Sequence, residues 1–249
     1  VDKYNLGDEY MTGSCTGCTT KKFRLTVDGK VYNPGFKLTK GKFEIYVGNK
    51  ISGSSKVVKL EALDNQDQVL AQQNVTIEKP QLRMDEYIRD NEYMTGTIVG
   101  KGIKKFKLVF NGTEIMPGSK ITDDNKFEIY VDNKIPVNVT TVKVVGLDEY
   151  GKEITSQDVT IQAATLMIDK YVLGDEYMTG TFKGGIKKFK LIVDGKEILP
   201  GFKIFNGNKF EVYIGNKITT VSKSVALVCL DKAGNVLVSQ QVPVVQPSR

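Results

Sequence analysis

The sequence predicts an all-β protein made of three tandem β-sandwiches, and three observations predict it. A motif recurs along the 249 residues: Asp8-Glu9-Tyr10-Met11-Thr12-Gly13, Asn91-Glu92-Tyr93-Met94-Thr95-Gly96 and Asp175-Glu176-Tyr177-Met178-Thr179-Gly180, with the tyrosines 83 and 84 residues apart. Within each copy apolar residues alternate with period two, as on a half-buried strand, and no segment holds an apolar 3.6-residue period. Gly, Pro, Asn and Asp interrupt the alternation about every 8 to 12 residues, at the spacing of strand turns.

Each copy opens on the Tyr-Met-Thr-Gly strand, and Tyr10, Tyr93 and Tyr177 are expected in the core or at a corner. Strands at Lys22-Phe23, Lys105-Phe106 and Lys188-Phe189 then run into Asp28-Gly29, Asn111-Gly112 and Asp194-Gly195. These dipeptides predict type I′ hairpins, whose two central residues both need positive φ. Pro34-Gly35, Pro117-Gly118 and Pro200-Gly201 mark the next turn. Phe43-Glu44-Ile45-Tyr46, Phe127-Glu128-Ile129-Tyr130 and Phe210-Glu211-Val212-Tyr213 follow, with Phe210, Val212 and Ile214 facing inward and Glu211 and Tyr213 outward. A last hairpin turns after Leu63-Asp64, Leu147-Asp148 and Leu230-Asp231. About seven short strands in some 83 residues describe an immunoglobulin-like sandwich, here without the pair of core cysteines around a Trp. Boundaries near Glu78-Lys79-Pro80-Gln81 and Gln162-Ala163-Ala164-Thr165 give domains 1–82, 83–166 and 167–249. Three such units joined by short linkers predict an extended rod on the order of 100 Å long. Phe23, Phe106 and Phe189 are the expected core anchors.

Apolar residues at 40 % and charged residues at 26 % are enough to build packed cores. His and Trp are absent, which removes the commonest general base and metal ligand, so no enzyme is expected. No stretch approaches the roughly 18 apolar residues of a membrane helix, and no signal peptide is read at the first residues, so no membrane insertion is expected.

Tyr4-x-x-Gly7-Asp8-x-Tyr10-x-Thr12-Gly13, Lys22-x-x-Leu25-x-Val27-x-Gly29-Lys30, Gly48-Asn49-Lys50-Ile51 and the Leu63-Asp64 hairpin, with their counterparts, resemble the bacterial Ig-like (Big) domains repeated in surface and secreted proteins of Gram-positive bacteria. The resemblance covers all three units. It implies an extracellular, secreted or wall-associated setting and a stalk, spacer or adhesive role beside other domains of a parent protein. It supplies no active-site residues.

The residues offer a few binding candidates. Lys22, Arg24, Lys105, Lys107, Lys188 and Lys190 repeat a basic strand on which a wall polymer or acidic glycan would find a ladder of charge. The bland alternative is a solvated face whose lysines pair across strands with acids such as Glu128. Unit charges of +3, −2 and +5 favour the bland reading, since a polyanion track should not turn acidic in its middle. No nucleic acid is expected. Outward Tyr46, Tyr130 and Tyr213 offer rings for stacking sugars. A unit-specific loop at 14–20, 136–140 or 205–208 is where recognition of a glycan or host protein would lie. No cofactor is expected, with Ca²⁺ as the one candidate, at the junction acids Asp8, Glu9, Asp85, Glu86, Asp90, Glu92, Asp169, Asp175 and Glu176. Cys15 and Cys18 are expected to close a loop as a disulfide, and Cys229 to be a small buried core residue. The chain is expected to be a monomer.

Overall fold

The hairpin dipeptides fold as their chemistry requires. In a computed structural model that describes residues 1–248, Asp28 and Gly29 have φ of 48° and 85°, Asn111 and Gly112 47° and 74°, and Asp194 and Gly195 51° and 80°. The Asp28 carboxylate accepts the backbone N–H groups of Val57 at 2.8 Å and Lys56 at 2.9 Å, which hold it below the usual carboxylate range and tie the hairpin to the loop across from it. The Asp194 carboxylate likewise accepts the backbone N–H groups of Lys223 and Ser224, each at 2.8 Å.

Among the described residues all regular structure is β. In the first repeat one sheet runs Tyr10–Ser14, Lys42–Tyr46, Phe36–Thr39, and the other Lys30–Tyr32, Lys22–Val27, Val58–Leu63, Val69–Asn74. The third repeat has the same second sheet, Lys196–Ile198, Lys188–Val193, Val225–Leu230, Val236–Gln241, and adds a strand to the first, which runs Thr165–Ile168, Tyr177–Lys183, Lys209–Tyr213, Phe202–Phe205. The second repeat keeps the pairings: Gln81–Met84 lies antiparallel to Tyr93–Val99, Ser119–Ile121 to Lys126–Tyr130, and Lys105–Phe110 to both Thr113–Ile115 and Thr141–Leu147. A two-residue strand at Tyr4, Tyr87 or Tyr171 pairs in parallel with the end of its repeat.

The chain packs as two compact units. One comprises Val1–Asp85, Thr95–Ile129 and Val142–Val159, the other Glu86–Met94, Tyr130–Thr141 and the chain from Thr160 onward. Phe23, Phe106 and Phe189 are buried, and each packs across its sandwich on the Phe of the Phe-Glu strand, with centroids 5.0, 4.6 and 4.8 Å apart. That second ring explains the glycine of Tyr-Met-Thr-Gly. A Cβ on Gly13 would stand 2.3 Å from Phe43 Cζ, and Gly96 and Gly180 meet Phe127 and Phe210 in the same way.

Three tyrosines expected in the core or at a corner face solvent instead. Tyr10, Tyr93 and Tyr177 are exposed, at 48, 43 and 46 %. Strand alternation decides it: Met11, Met94 and Met178 point into the core, so the residue before each points out. The buried tyrosines are Tyr4, Tyr87 and Tyr171, whose hydroxyls donate to the carbonyl four residues on, Asp8 at 2.5 Å, Asn91 at 2.9 Å and Asp175 at 3.0 Å. Desolvation raises the pKa of all three phenols.

Candidate functional site

The basic strand is largely neutralised by its own sheet. Lys22 pairs with Asp67 at 2.8 Å, Arg24 with Glu61 at 2.6 Å, Lys107 with Glu114 at 3.1 Å and Lys190 with Glu197 at 2.8 Å, while Lys105 and Lys188 begin their strands exposed. Glu128 is not among these partners. Lys105–Phe110 pairs with Thr113–Ile115 and Thr141–Leu147, whereas Glu128 sits on a strand paired with Ser119–Ile121, so the cross-strand partner expected from parity lies elsewhere. Glu61 is buried under Arg24 and Lys59, whose hydrogen bonds outweigh burial and hold its carboxyl below the usual range. The second and third repeats put Val145 and Val228 at its position.

The exposed tyrosines form a repeated constellation. Tyr10 and Tyr46 meet with centroids 5.8 Å apart, Tyr93 and Tyr130 at 5.6 Å, and Tyr177 and Tyr213 at 5.7 Å, because the register sets each pair on neighbouring strands. A lysine four residues after the second tyrosine lays its ammonium over that ring: Lys50 at 4.8 Å, Lys134 at 3.8 Å and Lys217 at 4.3 Å. Lys50 and Lys217 also donate to the carbonyls of Val47 and Ile214, closing the turn. Such cation–π contacts stabilise by about 0.5–1 kcal/mol at exposed positions. One face of Tyr46, Tyr130 and Tyr213 is therefore occupied from within the repeat. Chemically the patch offers ring edges beside a cation, a surface that suits polar or anionic groups. Sequence reading missed the lysines, although Tyr-x-x-x-Lys recurs in all three repeats.

Cys15 and Cys18 are joined by a disulfide with Cα atoms 5.4 Å apart, and the loop borders a cleft of about 490 Å³ lined also by Leu38, Lys40 and Lys42. Cys229 is buried and free, opposite Phe189, and desolvation pushes its thiol up to about 12. Among the described residues no three His, Cys, Asp or Glu side chains gather to hold a metal ion. Several acids that precede the motif strands have local tasks instead. Asp85 and Asp169, like Asp2, accept the hydroxyls of Thr95, Thr179 and Thr12 at 2.6, 2.7 and 2.6 Å, and Asp8 accepts the Asn5 amide at 3.1 Å.

Successive repeats meet through backbone. In the first unit Gly53 N–H donates to Glu153 O at 3.1 Å, Lys152 Nζ donates to Asn49 O at 2.5 Å, and a Cβ on Gly102 would fall 2.2 Å from Leu6 O. In the second unit Gly185 N–H donates to Arg89 O at 2.9 Å, and a Cβ on Gly185 would overlap Asp90 O. No side chain fits at either glycine.

The Bacterial Ig domain (Big_16) family matches residues 1–79, 81–163 and 164–246. No curated protein matches the chain. Among solved structures, the chain is similar to the SGBP-B protein of the Bacteroides ovatus mixed-linkage glucan utilization locus in complex with a mixed-linkage heptasaccharide. Identity there is 10 %, over 98 % of this chain and 65 % of that one, with a TM-score of 0.34. It is also similar to the titin domains I67–I69 in an E-to-A variant (13 % identity, 99 % and 95 % covered, TM-score 0.25) and to the BSP domain of a biofilm associated protein (11 %, 68 % and 30 %, 0.28).

Proposed function

Because the chain belongs to the bacterial Ig domain family, in three tandem copies, we propose that it is a non-catalytic structural module, a stalk or spacer within a larger secreted or cell-wall-attached bacterial protein. The observation that carries this reading is the backbone-to-backbone seating of successive repeats at Gly53, Gly102 and Gly185, which limits the freedom a flexible linker would leave. A spacer needs this property, and a string of independent binding beads does not. The absence of histidine and the pairing of the basic strand within its own sheet support the same reading.

The test is binding of the purified chain to bacterial cell walls and mammalian cells at low and high salt. The reading expects weak binding that salt abolishes, or none. Saturable, salt-resistant binding overturns it in favour of a second reading, recognition of a wall polymer, glycan or host protein. That alternative is supported by one observation: the first repeat alone carries a disulfide-closed loop beside a cleft with Lys40 and Lys42.

A further inference from the structure

The start of each repeat places one residue in left-handed backbone, and one of the three choices differs. Gly7 has φ of 92° and Gly174 of 99°, whereas the second repeat has Asp90 there at 59°. A side chain at positive φ is costlier than glycine, so the exception asks for a return. Asp90 is only 7 % exposed, its Oδ2 is buried with no hydrogen-bond partner among the described residues, and its carboxyl lies within hydrogen-bonding reach of Asp231, which is 2 % exposed. Asp231 belongs to the third repeat, in the turn after Val225–Leu230. The two acids therefore meet where Gly185 N–H seats on Arg89 O.

The surrounding charges do not neutralise this pair. The Arg89 guanidinium donates to the carbonyls of Pro136, at 3.1 Å, and Val139, which leaves it as a partial counter-charge only. Asp132 adds a third negative charge from the turn after Lys126–Tyr130, and Lys232 points at Asp132, 3.5 Å away. The Tyr87 hydroxyl donates to Asn91 O. Asp231 is held ionised: burial pushes it up, but the side chain and backbone N–H of Asn235 and the N–H groups of Ala233 and Gly234 outweigh that and hold it below the usual range. Among the described residues no donor reaches Asp90 Oδ2. Burial first, and then Asp231, push its carboxyl up to about 6.

A cation fits the place less well than a proton. Both oxygens of Asp231 already accept from Asn235, and Asp132 accepts from Tyr130 and Asn133. Ca²⁺ takes six to eight oxygen ligands, whereas what is wanting here is one hydrogen between Asp90 and Asp231.

We propose that Asp90 and Asp231 share one proton, carried by Asp90 and donated to Asp231, and that this proton latches the third repeat onto the second. The latch closes as the medium acidifies and opens when both carboxyls ionise. The first junction has no such device, because Gly7 brings no carboxyl. The sign follows from linkage: a carboxyl whose pKa is raised in the closed state stabilises that state below the open-state value, and the gain is lost as pH rises through the closed-state value.

Hydrogen exchange of the Gly185 amide in the full chain reads the latch directly, once corrected for the intrinsic pH dependence of exchange. Protection should rise about 100-fold as pH falls from about 7.5 to 4, through the value near 6 and toward the ordinary carboxyl value. The Gly53 amide at the first junction should show no such rise. Asp90→Asn keeps a donor for Asp231 and should be protected at both pH values with the slope gone. Asp90→Gly, the residue the other repeats carry, should lose the slope and stay weakly protected. A slope that survives in either variant overturns the proposal. So does Ca²⁺ restoring protection to the unsubstituted chain at about pH 7.5, which would make the pair a cation site.

Discussion

Replacing Phe189 by Ala removes the centre of the third sandwich. The ring is 2 % exposed and lies 4.8 Å from Phe210, 5.4 Å from Phe202 and 6.5 Å from Phe182, centroid to centroid. Deleting a buried Phe costs about 3–5 kcal/mol, and the lost aromatic pairs, at about 0.5–1.5 kcal/mol each, put this site at the upper end. A repeat of this size has about 4–12 kcal/mol of stability in all, so most of it goes. At about 4–8 °C per kcal/mol for a small domain, the transition should fall by about 20 °C or more. Calorimetry of the full chain measures this, with Phe202→Ala beside it. Phe202 touches the same ring but is 43 % exposed, so its removal should cost about 1 kcal/mol. Equal shifts for the two variants would refute the assignment of Phe189 as the packing centre.

Glu61→Gln should cost the first repeat about 2 kcal/mol at neutral pH, because it weakens two charged hydrogen bonds in a buried place. With the native carboxyl held low, its contribution is present above the unfolded value near 4.3 and lost as pH falls below it. The acid melting profile of the first repeat should therefore flatten in the Gln variant. Reducing Cys15–Cys18 should cost about 2 kcal/mol, the loop-entropy value for so short a ring, and calorimetry should find the change confined to one repeat. A thiol reagent should find no reactive sulfur in the native protein and one, Cys229, after denaturation, since that thiol is buried and its thiolate disfavoured.

Strand content and hairpins were legible because they are local. Asp28-Gly29 dictates its turn through φ alone, and the alternation of Phe210, Val212 and Ile214 dictates which face is buried. The same alternation already contained the exposure of Tyr10, Tyr93 and Tyr177, since a buried Met11 forces its neighbour outward. Preference for tyrosine in cores obscured a signal the period carried. Sheet membership was not legible, because Lys105–Phe110 and Lys126–Tyr130 have alike patterns and only three-dimensional pairing separates them. Nor was the meeting of Asp90 with Asp231, which lie in different repeats. The one trace was Asp90 standing where Gly7 and Gly174 stand.

The glycines at 102 and 185 also make the array ordered rather than interchangeable. Each lies just before an Ile-Lys-Lys-Phe that leads into its strand, and the first repeat has Thr19 at that place, before Thr20-Lys21-Lys22-Phe23. Transplanting the first repeat behind another copy would bring a β-branched side chain to where a single Cβ would already stand 2.2 Å from a carbonyl oxygen. Duplicating or permuting these modules, in a genome or in a laboratory, is therefore constrained by one atom at each seam, and a transplanted first repeat would need Thr19→Gly before it could follow a neighbour.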